Sequence, residues 1–511
     1  MPVSFLGFVL DRAGGRQLAV HFRSCDYIRS GERRNGHLNA IRPIANRIKS
    51  LTVHIMASSY NLERDYLRDL FVVPHKNLES LDLSFNAFYA SSSRLNLQYK
   101  PDISDTETVI PQLITLIPTH QLKHLTLRHM KGWPPPRFGN LTSLTLFGFV
   151  DGTALAEAVP ANPTLRKLRL ESVRHKDGAR YSYDPKRLVS LDGQTLELAG
   201  CEPGVLSMFT LSSTCSLIIT RTMPEGYEKA LVFRGTCYPL HLLPEDISAI
   251  RCLHEVEEIH FSVTEIPGRS GWITVEQRTV GYPKSKAVPG AEPKPSLTFI
   301  LTYHHYIKRW VPGVPFTSQY LLPHPSPWVG VIRASFDGFH GDFKIWDNDV
   351  LETLPNLRSM ALRRCDSRHL VYLITPLRLR GMESLRFEDE LSGADSGDDD
   401  EPETDSEDEK TDPEGEEMDP DYKDEEVDLD SEDGSSEGSS KDELFGADFG
   451  DALATMVELR CQSAGLRLKE LKIVTSGDPN SIITVEQMGK LNECVDRVEI
   501  AKAPGYRSVA M

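Results

Sequence analysis

The sequence predicts an α/β fold in which short parallel strands stack into a curved sheet while helices and loops return the chain along its outer side. Three observations predict this architecture. An apolar triplet with fixed spacing recurs along the chain, helical segments precede several of the triplets, and one acidic stretch interrupts the series. Together they indicate an irregular leucine-rich-repeat solenoid that contains a disordered acidic insertion.

The triplet has the spacing L-x-x-L-x-L, which predicts a short strand whose leucines point into the core. Strict copies begin at Leu78, Leu122, Leu141 and Leu165. Near copies begin at Leu357 and Leu468, and looser ones at Ile48, Val256, Met382 and Val495. The strict copies lie 44, 19 and 24 residues apart, whereas regular arrays keep about 20 to 29 residues per repeat. We therefore expect uneven curvature, and only Asn86 and Cys365 fill the ninth, asparagine-or-cysteine position.

Helices are predicted where apolar residues with helical spacing lead into a triplet. Such segments cover residues 61–70, 108–118, 348–356 and 484–495. A further helix is predicted after the acidic stretch, from about residue 444 to the possible C-cap at Gly465.

The charge of the chain is concentrated in one stretch. Residues 388–443 contain 29 acidic and three basic residues, so the remaining 54 basic and 45 acidic residues carry a net +9, against −17 for the whole chain. With few apolar residues and strong self-repulsion, residues 389–442 are predicted to be disordered. They can act as a solvated spacer, fold back on a positive surface, or bind basic proteins. An acidic residue three positions downstream makes Ser396, Thr404, Ser406 and Ser440 candidates for phosphorylation.

The sequence contains no signature of catalysis, of a cofactor or of a metal site. Phosphate-binding glycine loops, the zinc-protease motif, the nucleophile elbow and the EF-hand loop are absent from it. The eight cysteines are scattered, which fits reduced thiols better than a disulfide or zinc framework. No apolar run has the ~20 residues of a membrane span. We expect a non-enzymatic protein without cofactors, soluble in the cytoplasm or nucleus, with no membrane partner and no direct nucleic-acid contact.

A partner surface is predicted on the concave side of the sheet, where the residues between the leucines lie. The candidates from the strict triplets are Asp82, Ser84, His124, Thr126, Arg128, Thr145, Phe147, Lys167, Arg169 and Glu171. They comprise polar residues on the first strand of the series, an aromatic ring at Phe147 and a basic patch of Arg128, Lys167 and Arg169. Aromatic residues and arginines are frequent anchors of protein interfaces. The alternative is that these residues are simply solvated positions of the sheet.

Two N-terminal segments, FLGFVLDRAGGRQLAVHF and RPIANRIKSLTVHI, resemble those of the F-box and leucine-rich-repeat proteins of mushroom-forming fungi. The resemblance is carried by Phe8, Leu10, Arg12, Ala13, Gly14, Leu18 and Arg47–Leu51. The C-terminal segment LNECVDRVEI also resembles the way those chains end. It implies the substrate-binding part of a cullin-type ubiquitin-ligase receptor. The F-box itself is not found before Arg12, so a contact with the ligase adaptor is expected only if an F-box is supplied upstream.

Four segments follow from these observations. Residues 1–25 form the leading helix and strand that follow the F-box in that family, and residues 26–388 form the irregular array. Residues 389–442 are the acidic segment, and residues 443–511 form C-terminal helices and closing repeats. The alternative function is that of an acidic leucine-rich nuclear protein, which binds histones or other basic partners through residues 389–442.

Overall fold

A computed structural model describes most of the predicted strands and part of the connections between them. The described residues are 12–23, 42–56, 75–86, 121–128, 138–148, 152–173, 188–201, 205–222, 247–267, 272–284, 294–306, 328–338, 354–364, 381–388, 449–464, 467–475 and 482–502. The acidic segment with its candidate phosphorylation residues, Cys365 and the predicted helices at 61–70 and 108–118 lie outside them. The predicted helix at 348–356 lies outside them up to residue 353, and residues 354–356 form a turn instead.

Strands dominate the described residues. They are β1 (Leu18–Arg23), β2 (Ile48–Met56), β3 (Ser80–Asn86), β4 (His124–Arg128), β5 (Ser143–Phe147), β6 (Lys167–Glu171), β7 (Val189–Leu191), β8 (Thr195–Ala199), β9 (Phe209–Leu211), β10 (Ser216–Thr222), β11 (Val256–Pro267), β12 (Trp272–Pro283), β13 (Leu297–Tyr306), β14 (Arg333–Asp337), β15 (Ser359–Arg363), β16 (Ser384–Glu388), β17 (Glu470–Thr475) and β18 (Val498–Lys502). Every triplet named above has become a strand.

Helices are fewer in the described residues. The α-helices are α1 (Gly152–Ala161), α2 (Arg251–His254), α3 (Phe449–Ala464) and α4 (Val485–Cys494), and short 3-10 helices cover Arg42–Arg47, Val205–Met208 and Ile247–Ala249. The helix predicted after the acidic segment corresponds to α3, and the helix predicted before the last triplet corresponds to α4. Within the part of the chain that the structure describes, no helix combines the length and apolar character needed to cross a membrane.

Sixteen of the described strands form one α/β-type sheet that does not close into a barrel, and β7 and β9 pair separately. The order is β1-β2-β3-β4-β5-β6-β8-β10-β13-β12-β11-β14-β15-β16-β17-β18. The expectation of a wholly parallel sheet is wrong at one place. β12 runs antiparallel to both β11 and β13, and this three-stranded block enters the sheet in reverse order. The reason is local, because β11 and β12 are joined by a short connection that favours an antiparallel hairpin.

The apolar residues of the triplets lie in the core as predicted. Leu81 and Leu83 of β3 are 1% and 0% exposed, and Leu168 and Leu170 of β6 are each 0% exposed. Full burial of such a side chain contributes about 1.5 to 3 kcal/mol. The rows of leucine therefore stabilise the sheet from one side, and the intervening side chains form the other side, which we call the polar face.

The same backbone geometry recurs where the strands end. The residue directly after each of five strands has a positive φ, namely Gly148, Ser172, Gly200, Gly338 and Arg364. Its N–H donates to the carbonyl of the last paired residue of the adjacent strand, as Gly148 does to Glu171 at 2.9 Å and Arg364 does to Glu388 at 2.9 Å. These strands thus enter the following connection through one shared turn.

The sheet continues across the acidic segment. β16, which precedes the segment, pairs in parallel register with β17, which follows it. Residues 389–469 therefore connect two neighbouring strands of one sheet.

Candidate functional site

The ten residues predicted from the strict triplets lie together on the polar face. Cross-strand register aligns Asp82, Thr126, Thr145 and Arg169 in one row across β3 to β6. His124 and Lys167 belong to the row at the beginning of the strands, and Ser84, Arg128, Phe147 and Glu171 to the row at their ends. Most of them are exposed or half-buried, but Ser84 is only 2% exposed. Parallel register therefore brings the predicted residues together.

The predicted basic patch is not a region of unpaired positive charge. Nε of Arg128 lies 3.6 Å from Oδ1 of Asp82 on the preceding strand. The Arg128 guanidinium also lies over the ring of Phe147, 5.8 Å from its centroid. Arg128 is thus held between a carboxylate and an aromatic face.

The other two cations of the patch share one carboxylate. Nζ of Lys167 lies 2.6 Å from Oε2 of Glu197, and Nη1 of Arg169 lies 2.6 Å from Oε1 of the same residue. Glu171 adds a further contact with Arg169 at 3.3 Å. Glu197 belongs to β8, a strand that the sequence does not reveal as a triplet. This region of the polar face is therefore charge-balanced.

A second group of polar residues connects β11 and β14. Oε2 of Glu258 accepts from Nε of Arg333 at 3.1 Å, and Oε1 lies 2.8 Å from Nε2 of His260. Nδ1 of the same imidazole lies 2.5 Å from the hydroxyl of Ser335. The hydrogen bond with His260, followed by that with Arg333, lowers the pKa of Glu258 to about 2. Because the ionised carboxylate only accepts, the imidazole donates to it through Nε2.

The order Ser335, His260, Glu258 resembles a nucleophile, base and acid, but the surroundings do not suit acyl transfer. Ser335 is 7% exposed and lies in β14, which is paired on both sides by β11 and β15. Backbone N–H groups inside such a strand are used in the sheet, whereas an oxyanion hole needs donors aimed at a bound substrate. The three side chains are better described as a structural hydrogen-bond chain.

Between these two charged groups the central row of the polar face carries no charge. The central row runs from Glu197 through Ile218, Thr298 and Val280 to His260. Ile218 is half-buried, while Thr298 and Val280 are only 4% and 8% exposed. Nothing in the sequence indicates this segment, because it depends on the reversed order of β11 to β13.

Paired charges resume beyond β14. Nε of Arg363 on β15 lies 2.6 Å from Oε2 of Glu388 on β16. Nζ of Lys472 on β17 lies 2.6 Å from Oε1 of Glu499 on β18. The pKa of Glu499 is lowered, chiefly by the hydrogen bond from Lys472 and further by the charge of Arg497. The polar face is therefore a sequence of charge-paired regions around one uncharged segment.

Metal-binding groups of three or more histidine, cysteine or acidic residues do not occur among the residues that the structure describes. In comparisons with known proteins, no family model matches this chain and no curated protein is similar to it.

Proposed function

We propose that the chain is an irregular leucine-rich-repeat solenoid that acts as a non-enzymatic protein-recognition module, with the polar face as its partner surface. The recurring triplets, the shared turn after five strands and the parallel rows of leucine support the repeat. A further feature supports it at the ninth position of β8. There Cys201 is 2% exposed and its thiol donates to the Leu170 carbonyl of the previous strand at 3.3 Å.

The observation that carries the proposal is the distribution of polarity on this face. The segment of Ile218, Thr298 and Val280 is flanked by the pairs of Glu197 on one side and those of Glu258 on the other. Protein interfaces commonly have an apolar centre and a polar rim. The complementary partner is a protein segment with an apolar side chain for the centre and both signs of charge around it.

The resemblance to F-box and leucine-rich-repeat proteins supports a more specific role, that of the substrate-binding part of a ubiquitin-ligase receptor. The acidic segment supports the alternative, binding of histones or other basic proteins. In the first role the polar face holds the partner, and in the second residues 389–442 do. The two roles therefore predict different effects of removing each element.

The test is an affinity pull-down from host-cell extract with mass spectrometry of the bound proteins. The baits are the full chain, the chain without residues 389–442, and the variant Ile218→Lys. The matched control is Val485→Lys, which introduces the same charge at a side chain 92% exposed on α4. Thermal unfolding of each bait establishes that it is folded.

Partners that are lost with Ile218→Lys and retained with Val485→Lys support recognition by the polar face. Co-purification of a ligase adaptor and cullin with those partners supports the receptor role. If the Ile218→Lys bait keeps every partner, and basic proteins bind only when residues 389–442 are present, the polar-face proposal fails and the alternative replaces it.

A further inference from the structure

The strand β18 lies at one end of the sheet, and within the described residues it is paired on one side only. Its five residues, Val498–Lys502, pair in parallel with Leu471–Thr475 of β17. Val498 and Ile500 pack against the core but are only half-buried. The edge of a sheet presents backbone N–H and C=O groups with which another strand can pair. A further strand would therefore extend the sheet here and cover the two apolar side chains.

The register shows which backbone groups of β18 face away from β17. The Leu471 N–H donates to the Arg497 carbonyl at 2.9 Å. Because the direction of these groups alternates along a strand, every second residue from Arg497 onwards turns its N–H and C=O towards β17. The intervening residues Val498, Ile500 and Lys502 turn theirs outward. The outer edge thus offers three residues with both a donor and an acceptor.

These three residues are arranged symmetrically about Ile500. If a second copy of β18 lies antiparallel with its Ile500 opposite the first, Val498 of each copy lies opposite Lys502 of the other. All three residues then form the hydrogen-bonded type of antiparallel pair, in which opposite residues exchange both N–H···O bonds. Side chains of opposite residues lie on the same face, so the two half-buried Ile500 side chains meet and cover each other.

Charge also favours this alignment. Lys502 is exposed, and it would lie diagonally across from Asp496 of the second copy, whose side chain is 57% exposed beside Arg467. Diagonal neighbours across an antiparallel pair are about 7 to 8 Å apart, a distance that a long side chain spans. Glu499 would lie opposite Ala501, so the paired strands place no like charges directly opposite each other. The edge is therefore complementary to itself.

We propose that this edge is a contact surface for a second copy of the same chain, in which the two β18 strands pair antiparallel about Ile500. The two copies then share one continuous sheet, and a two-fold contact of this kind closes at a dimer. Because Ile500 lies on the core side in both copies, the two polar faces lie on the same side of the joined sheet. This inference does not depend on the proposed function.

The opposite end of the sheet is a poorer partner for β18. A contact between β18 and β1 of another copy would be head-to-tail, and repeated contacts of that kind extend without closure. The pairing of β1 with β2 contains a register shift between Leu18 and Ala19. Such irregularities bend an edge strand and hinder further pairing. β18 pairs with β17 without a shift, so the regular edge is the one that favours self-pairing.

The first experiment follows the mass of the full-length protein by sedimentation over a range of concentrations. Five paired residues make a small contact compared with the roughly 800 Å² per partner of a standard interface, so we expect a reversible change from one chain to two. A protein that stays monomeric at the highest concentration, as it would if another segment of the same chain covered the edge, overturns the proposal. Growth beyond two chains also overturns it, because it indicates head-to-tail contacts.

Proline substitutions separate the outward backbone groups from those that face β17. Ile500→Pro removes an outward N–H from both copies and leaves the bonds to β17, so the dimer should dissociate about tenfold more readily. The folded chain should remain, as its circular dichroism would show. Glu499→Pro removes an N–H that faces β17, and it should lower the Tm of the chain itself. Equal effects of the two variants on dimerisation, with both chains folded, would contradict the outward direction of Ile500.

A charge substitution keeps the backbone intact. Lys502→Glu places an acid diagonally across from Asp496 of the second copy and should weaken the dimer several-fold at low salt. Lys490→Glu is the matched control, because it makes the same change of charge at a side chain 48% exposed on α4. A dimer that tolerates Lys502→Glu as well as Lys490→Glu excludes this alignment.

A crosslink tests the alignment directly. Ile500→Cys places two thiols opposite each other in a hydrogen-bonded pair, where the Cα atoms are about 5.5 Å apart and within the range of a disulfide. Val498→Cys is the control on the same face, because Val498 would lie opposite Lys502 and not opposite its own counterpart. Oxidation should join the tryptic peptides 498–502 of two copies in the first variant only. No crosslink with Ile500→Cys, or an equal one with Val498→Cys, overturns the proposal.

Discussion

Arg169 on β6 and Glu197 on β8 are cross-strand partners, with Nη1 of the arginine 2.6 Å from Oε1 of the carboxylate. Lys167 binds the other carboxylate oxygen at the same distance. The Glu197 side chain is 11% exposed, whereas Lys167 and Arg169 remain 45% and 35% exposed. One nearly buried carboxylate therefore binds two cations that remain partly exposed to solvent.

Replacing Glu197→Gln should make this region more positive, with Glu171 as the remaining anion beside Arg169. The variant leaves Lys167 and Arg169 without their shared anion, and we expect stronger retention on heparin at low ionic strength, because sulfated polymers bind clustered cations. The expected loss of stability is about 1 kcal/mol, since both cations can turn to solvent. Heparin chromatography and urea unfolding measure the two effects.

Glu383→Gln is the matched control for that prediction. Glu383 also contacts two cations, Lys469 at 2.8 Å and Arg358 at 4.0 Å, but its side chain is 40% exposed. The substitution Glu383→Gln changes the net charge of the chain by the same amount as Glu197→Gln, but outside the cluster around Glu197. Equal gains in heparin retention for both variants would mean that net charge, not the exposed pair of Lys167 and Arg169, determines the binding.

The same region explains what the sequence could and could not predict. The strict triplets fixed both the register and the face of the ten candidate residues, because a strand alternates its side chains with period two. Glu197 was missed because Gly193 occupies the first leucine position of its repeat, so TLELA lacks the full triplet. The charge of a surface depends on neighbouring strands, and one unrecognised neighbour changed the interpretation of the patch.

The reversed block of β11, β12 and β13 shows a second limit. The triplet at Val256 correctly predicted β11, but nothing in it specifies that β11 pairs with β14 while β13 pairs with β10. Strand partners in a sheet are chosen by contacts that are distant in sequence. The uncharged segment of Ile218, Thr298 and Val280 is a product of that choice.

The turn after β14 should be sensitive to substitution. Gly338 has φ +76°, and an added Cβ would collide with the Val263 carbonyl. We expect Gly338→Ala to lower the free energy of unfolding by about 2 to 4 kcal/mol, which combines left-handed strain with overpacking. Urea unfolding measures the change.

Two other glycines calibrate this effect. Gly200 has φ +60° but an added Cβ would lie 3.5 Å from the Ser172 hydroxyl, so Gly200→Ala should cost about 1 kcal/mol from strain alone. Gly139 has open space around it, and Gly139→Ala should have little effect. A Gly338→Ala variant as stable as Gly139→Ala would contradict the tight turn.

The acid dependence of stability should report the bonds of Glu258. Its pKa is lowered from 4.5 to about 2, chiefly by the hydrogen bond with His260. Because the folded pKa lies below the unfolded value, the contribution to stability is present above pH 4.5 and is lost as the pH falls towards 2. In His260→Val the pKa of Glu258 should rise. The difference in free energy of unfolding between this variant and the original protein should therefore shrink as the pH falls from 4.5 to 3.

Urea unfolding at pH steps from 6 to 3 measures this difference. Arg333→Gln is the comparison. Its difference in unfolding free energy should depend less on pH, because the hydrogen bond with Arg333 lowers the pKa of Glu258 less than the bond with His260 does. A stability difference for His260→Val that does not change with pH would exclude Glu258 as the titrating group.

The role of Cys201 provides a test of the repeat itself. The ninth position of the leucine-rich-repeat pattern is asparagine or cysteine, and both side chains can donate a hydrogen bond. If the thiol of Cys201 has this role towards the Leu170 carbonyl, then Cys201→Asn should be tolerated, with a loss below about 1 kcal/mol, because the amide finds the same acceptor.

Cys252→Asn is the matched control at another buried cysteine. Cys252 is 0% exposed and lies in α2, away from any ninth position, so a buried amide there should cost about 2 to 4 kcal/mol. Urea unfolding of the two variants gives the comparison directly. Similar losses would mean that Cys201 only fills space, and the proposed solenoid would lose its most specific support, because the other recurring features also occur in sheets without a repeat.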